Sequence, residues 1–214
     1  MRIADQLADV GRLGGFFAIG LGPGFDGWHP VSDCYADGFA DLIERTAARN
    51  GDRRVSASLV QMGHATRLWS PALACAVIHG VAPDFADLRR APDTADLADP
   101  EPTGTPLSSD RAQTLYRVVV ERHLEPLAAA LPVRLASGLL YGNITSAMVG
   151  AARALYMIRP SLRDDATRLA RELLATGRLA GTGTVSGNLA FRRRSCCLYY
   201  RIADGAKCGD CALR

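Results

Sequence analysis

The chain of 214 residues contains a single lysine, Lys207, so its basic side is almost all arginine. That bias reflects base composition more than function. Long apolar runs are missing as well. The stretch from Leu13 to Leu21 is far too short to span a bilayer. Asp5 and Asp9 precede it where a secretory signal carries positive charge. Pro23 and Trp28 follow where a small-residue cleavage site belongs. The expected location is therefore cytoplasmic. A large excess of one charge is missing too: 25 basic against 22 acidic residues leave +3, which does not by itself support nucleic-acid binding. No HExxH or metal-pair spacing joins His29, His64, His79 and His123, and no flavin or nicotinamide motif is present. Gly20-x-Gly22-x-Gly24 lacks both the P-loop Lys-Ser/Thr and the Rossmann spacing, so it reads as a packed amino-terminal loop.

What is present is a globular composition, 48% hydrophobic and 22% charged, of a length for one large domain or a domain with a small appendage. Residues 2 to 10 read as a short helix, followed by glycine-broken chain to Gly27. Ser32 is an N-cap candidate for a helix through Tyr35, Phe39, Leu42, Ile43 and Ala47, closed by Gly51. A second helix is expected over Val55 to Trp69 and a third from Pro71 to His79. Residues 83 to 108 are acidic and hold Pro83, Pro92, Pro100, Pro102 and Pro106. They read as one or two short strands near 85–90 and 95–98, an excursion within one fold rather than a domain linker.

Ser108 or Ser109 caps the next helix, which Pro126 should kink or split. A long helix is expected from Val133 to Met157. On it Gly142, Ser146, Gly150 and Ala154 recur every four residues, a small face that admits another helix closely. Leu162 to Leu174 reads as one more amphipathic helix. Gly181, Gly183 and Gly187 mark a connector, and an extended segment from Leu189 delivers the chain to the cysteines. The fold class is mainly α, α+β with a small antiparallel sheet. Residues 1–187 form the helical body and residues 188–214 a carboxy-terminal cysteine module. Cys34 and Cys75 fall in helical, apolar patterns and are expected as buried free thiols.

The other four of the six cysteines, Cys196, Cys197, Cys208 and Cys211, fall within sixteen positions as C-C-x10-C-x2-C. Such crowding suggests one four-coordinate sulfur site. Disulfides would need an oxidising compartment. Structural zinc prefers two C-x2-4-C knuckles, which the vicinal pair fits poorly. An iron-sulfur cluster also takes four thiolates. If both vicinal sulfurs bind one centre, the backbone at Cys196-Cys197 must leave regular strand geometry, where neighbours point to opposite faces.

The stretch Arg192-Arg193-Arg194-Ser195-Cys196-Cys197-Leu198-Tyr199-Tyr200-Arg201, with Cys208-Gly209-Asp210-Cys211, resembles the carboxy-terminal signature of the FhuF-like ferric-siderophore reductases. Arg67-Leu68-Trp69-Ser70-Pro71 and Leu140 to Ala152 resemble segments of the same family. Where that family often has Pro-Leu after the last cysteine, this chain has Ala212-Leu213. The resemblance implies a [2Fe-2S] cluster on Cys196, Cys197, Cys208 and Cys211. It implies a cytoplasmic oxidoreductase that passes one electron to siderophore-bound Fe³⁺ and releases Fe²⁺. The electron would come from a separate ferredoxin or flavin reductase. Hard oxygen donors hold Fe²⁺ far less tightly than Fe³⁺, so no acid–base residue is required. Two other readings remain: a siderophore-binding module without reductase activity, and a zinc-stabilised interaction domain.

Around the cysteines, Arg192, Arg193, Arg194, Arg201, Lys207 and Arg214 face Asp204 and Asp210. These cations are expected to lower thiol pKa values and to raise the potential of a bound cluster. Arg192 to Arg194 are candidate contacts for substrate or for an acidic electron donor.

Overall fold

The computed structural model describes residues 1–203 and 205–214. Asp204, counted in the charge balance above, lies outside them. The fold is mainly α with small sheets. Helix α4 (Arg53–His79) is its axis, and α7 (Ser137–Ile158) packs along it. Around this pair stand α1 (Ile3–Gly11), α2 (Val31–Ala36), α3 (Ala40–Asn50), α5 (Arg111–Leu115), α6 (Glu125–Ala130) and α8 (Arg163–Leu174). The core between them is built on Leu68, Trp69, Leu73, Ile144 and Met148, all 0–1% exposed. Each such side chain contributes ~1.5–3 kcal/mol by leaving water.

Helix α4 begins where the Asp52 carboxylate accepts the backbone N–H groups of Arg54 (2.9 Å) and Val55 (3.0 Å). It ends at Gly80, whose φ of 65° closes it in the left-handed conformation. It is one helix, where the sequence suggested two. Pro71 removes one backbone donor, but residues 68–76 are buried and packing carries the helix through. The reverse holds for the expected helix from Ser32 to Gly51. It breaks into α2 and α3 at Gly38-Phe39, both with positive φ. A Cβ at Gly38 would lie 2.2 Å from the Ala130 carbonyl oxygen, so the close approach of α6 fixes the break. Pro126 is accommodated differently again. The wider turns of a π-helical segment, Tyr116–Leu124, precede it, and Pro126 then sits in the first turn of α6.

The acidic, proline-rich excursion is β structure. Strands β3 (Val81–Pro83), β4 (Arg89–Arg90), β5 (Leu97–Asp99) and β6 (Gly104–Pro106) lie within or beside it. Two strands from the amino-terminal loop, β1 (Gly20–Leu21) and β2 (His29–Pro30), complete a four-stranded sheet of order β1-β5-β4-β2. Its β1–β5 pair is parallel and the others antiparallel. β3 and β6 pair with each other.

The antiparallel hairpin of β7 (Gly183–Ser186) and β8 (Ala190–Arg193) leads to the cysteines. Residues 187–189 form its turn, and Leu189 and Phe191 sit in the main core. The small face of α7 meets this cysteine stretch, where a second helix was expected. A Cβ at Gly142 would lie 2.2 Å from Ser195 Oγ and 3.2 Å from an Arg193 guanidinium nitrogen.

Candidate metal centre

Strand β8 alternates faces, so the arginine run divides. Phe191 and Arg193 point inward, and Arg192 and Arg194 outward. The Arg193 backbone N–H donates to the Asp210 carbonyl (3.0 Å), which lays the Cys208–Cys211 loop beside the strand end. The strand stops there. Residues 194–198 are irregular, and Leu198 takes a left-handed φ of 69°. The vicinal pair has thus left strand geometry. The Leu198 N–H turns back onto Cys196 Sγ (3.3 Å), and the Leu213 N–H does the same to Cys211 Sγ (3.4 Å). Backbone donors of this kind stabilise thiolate sulfur.

The fold sets Cys196 near Cys197 and Cys211, and Cys208 near Cys197. Cys197 and Cys211 are buried, and Cys196 and Cys208 half-buried. Cys197 Sγ and Cys208 Sγ lie 3.7 Å apart. Two thiolates on one tetrahedral metal, at ~2.3 Å each, are ~3.8 Å apart. Among the described residues no three His, Cys, Asp or Glu side chains converge on one ion position. Cys34 and Cys75 are elsewhere in the core. Burial raises both thiols, Cys75 to about 12, as expected for inert structural cysteines.

At Cys196 and Cys208 the expected lowering of the thiol pKa by nearby cations does not prevail. Burial pushes Cys196 up, and the Cys197 and Cys211 thiols add to this, while Arg193 pulls the other way. Burial also raises Cys208, with the Asp210 carboxylate adding to it. Desolvation outweighs the arginines because most of those lie on the surface.

Arg193 is the exception, only 2% exposed. Its Nη2 donates to Asn143 Oδ1 (2.5 Å) and, more weakly, to the Leu139 carbonyl (3.5 Å). Asn143 is fixed in turn: its Nδ2 donates to the Ser58 carbonyl (3.0 Å) and Gln61 Oε1 (2.9 Å). Ser58 Oγ then donates to the Cys197 carbonyl (2.8 Å), tying α4 to the cysteine backbone. These acceptors are all neutral. Among the described residues Arg193 has no carboxylate within ion-pair distance. Its Nε and the neighbouring Ser195 Oγ are buried without a partner. A buried, permanently charged cation left unpaired costs several kcal/mol. An anionic centre on the thiolates would complete the site: it supplies the missing counter-charge, and sulfur acceptors are what the orphaned donors lack.

The other predicted contacts lie outside. Arg192 donates to the Arg214 carbonyl, and Arg214 to the carbonyls of Lys207 (3.1 Å) and Gly209 (3.5 Å), which wraps the tail round the Cys208–Cys211 loop. Arg201 lies 3.9 Å from Asp52 at the start of α4. The Arg193–Asn143–Ser58–Gln61 network is absent from the sequence reading. Its signal was there as polar residues, Ser58, Gln61 and Asn143, on faces otherwise apolar.

Two of the histidines that looked scattered also meet in the fold. The Tyr35 hydroxyl lies 2.7 Å from His64 Nε2 and 3.0 Å from His123 Nδ1. Burial holds His64 well below its usual value and lowers His123 to about 4, so both rings are neutral.

Residues 193–213 match the family described as FhuF 2Fe-2S C-terminal domain. No curated protein matches the chain. The matched segment spans Arg193, Ser195 and the four cysteines Cys196, Cys197, Cys208 and Cys211, and its cofactor is a [2Fe-2S] cluster.

Proposed function

We propose that the protein is a cytoplasmic ferric-siderophore reductase whose cluster is held by Cys196, Cys197, Cys208 and Cys211. The observation that carries this reading is the coincidence of the matched domain with a built anionic site: four thiols beside a buried arginine that lacks a counter-charge. When bound, the cluster supplies a single electron, enough to convert siderophore-bound Fe³⁺ into weakly held Fe²⁺. The chain's own residues hold that centre in place. Ser58 anchors the Cys197 backbone, Leu198 and Leu213 donate N–H to sulfur, and Arg193 neutralises charge from inside. The electron comes from an external ferredoxin or flavin reductase, because the chain carries no flavin or nicotinamide motif.

Anaerobic mixing of the reduced protein with a panel of ferric siderophores tests this. Reoxidation followed in the visible spectrum, with Fe²⁺ trapped by a ferrous chelator, is the expected result. A colourless protein carrying one zinc would sink the reading. Changing each of Cys196, Cys197, Cys208 and Cys211 to Ser should abolish or alter the spectrum, while Cys34→Ser and Cys75→Ser leave it unchanged.

A further inference from the structure

Only the first half of the small stripe on α7 is covered by the cysteine stretch. Gly142 lies under Ser195 and Arg193, and the Ser146 hydroxyl donates to Asp210 Oδ2 (2.5 Å). Beyond Ser146 the stripe opens, and a Cβ added at Gly150 would meet nothing within 4 Å. A groove of about 280 Å³ runs there between α7, the β7–β8 hairpin and the Cys208–Cys211 loop. Val149, Gly150, Arg153, Phe191 and Gly209 are in its walls, with Asp210 beside Ser146.

We propose that this groove seats one edge of a ferric complex whose chelator is anionic, catecholate or hydroxycarboxylate in type, with Arg153 as its charge partner. The proposal rests on the reductase reading above and deepens it by naming the substrate's charge class and its place. Size comes first. The groove lies below the ~300–1,000 Å³ of a site that engulfs a small molecule, so it takes an edge of the complex and leaves the rest in solvent. Position comes second. Its wall includes Gly209 and Asp210, the residues between two of the proposed ligands, so an occupant lies against the ligand loop. Electron transfer needs that proximity and no bond.

Charge comes third. Arg153 is exposed and, among the described residues, makes no ion pair. Its planar donor fork suits paired oxygens. The acid in the same wall, Asp210, is turned onto the Ser146 hydroxyl. The basic residues of the module and Arg153 outnumber Asp204 and Asp210 together with the net negative charge of the cluster, so the surroundings attract anions. Val149 and Phe191 add an apolar wall for a ring edge. One electron passes from the reduced centre to Fe³⁺, giving Fe²⁺ and the oxidised centre. No proton moves, and a one-electron donor of ferredoxin or flavoprotein class restores the electron.

The test uses the cluster-loaded protein and three variants. Gly150→Trp fills the groove at an exposed helix position with open space beside it. Arg153→Glu reverses the charge, and Arg153→Lys retains it. Unchanged visible spectrum, potential and Tm establish that each variant is intact. Binding is titrated with the redox-inert gallium(III) complex of a tricatecholate chelator. Stopped-flow reoxidation is followed with the ferric complexes of that chelator and of a cationic trihydroxamate. Gly150→Trp is expected to weaken gallium-complex binding and slow the tricatecholate reaction by ~10-fold or more. Arg153→Glu should invert the preference between the two complexes, and Arg153→Lys should keep it. Wild-type behaviour in both Gly150→Trp and Arg153→Glu would overturn the groove while leaving the reductase reading standing. Groove-dependent gallium binding without reoxidation by any ferric complex would do the opposite.

Discussion

Helix α4 carries two buried polar clusters, and they solve burial in opposite ways. On one face His64 meets Tyr35 and His123. On another, Ser58 and Gln61 hold Asn143, and Asn143 holds Arg193. A histidine moved out of water can shed its proton, and both rings have done so. An arginine cannot, and Arg193 stays charged at 2% exposure with no acid in reach among the described residues. The first cluster therefore carries no charge that needs an anion, although His123 Nε2 is left without a partner. The second is complete only when something negative arrives, and the four thiols beside it are where that charge would sit. A buried cation without an anion is a stronger pointer to a missing group than a buried histidine pair.

The comparison breaks most visibly at Arg193. In cluster-free protein, Arg193→Met should raise stability by ~1–4 kcal/mol, because it removes an uncompensated buried charge. In the loaded protein the sign reverses. The variant should hold its cluster less well and show a lower reduction potential, with ~59 mV corresponding to a tenfold change for one electron. Differential scanning calorimetry on both forms and a redox titration read the two signs. A loss of stability in the cluster-free variant would remove the argument for a counter-charge.

Asp99 offers a third case, an acid buried in β5. It is 0% exposed, both its oxygens lack partners, and burial, helped by Asp84 and Asp87, raises its pKa to about 6. Between its ordinary value of 3.8 and about 6 the folded state binds more protons than the unfolded chain, so stability falls as pH rises through that window. At pH 7.5 the full penalty applies, up to about 3 kcal/mol. Asp99→Asn should therefore raise Tm at pH 7.5 and leave it unchanged near pH 4. An equal shift at both values would refute the electrostatic cause.

Tyr35→Phe makes the smallest change and sharpens the contrast from the other side. It leaves two neutral ring nitrogens without their hydroxyl partner, at a cost of ~1–3 kcal/mol. That cost should be the same with and without the cluster, and the visible spectrum should not move. Urea unfolding of both forms checks this.

These clusters also mark how far the sequence could be read. Cys196 to Cys211 are close along the chain, so their spacing alone suggested one sulfur site. Ser58 and Asn143 are 85 positions apart, and nothing local announces that they meet. The arginine run misled for a different reason. Arg192-Arg193-Arg194 looks like one patch, but strand alternation sends the middle one inward, and no helix signal warned of that. Pro71 reads as a helix start because its missing donor is a local fact, while the burial that carries α4 past it is not. Gly38-Phe39 gives no local sign of a break, because its cause, the Ala130 carbonyl, comes from α6. The β character of residues 83–108 was legible because its prolines and acids act locally. The partners β1 and β2, drawn from the amino-terminal loop, were not.

The uneven depth of the four thiols bears on how long the protein survives. Cys197 and Cys211 are buried, while Cys196 and Cys208 are only half-buried. Oxidants and chelators arriving from solvent reach one side of the centre first. Damage is therefore expected to begin at Cys196 and Cys208, and mass spectrometry of air-exposed protein should find them oxidised before Cys197 and Cys211.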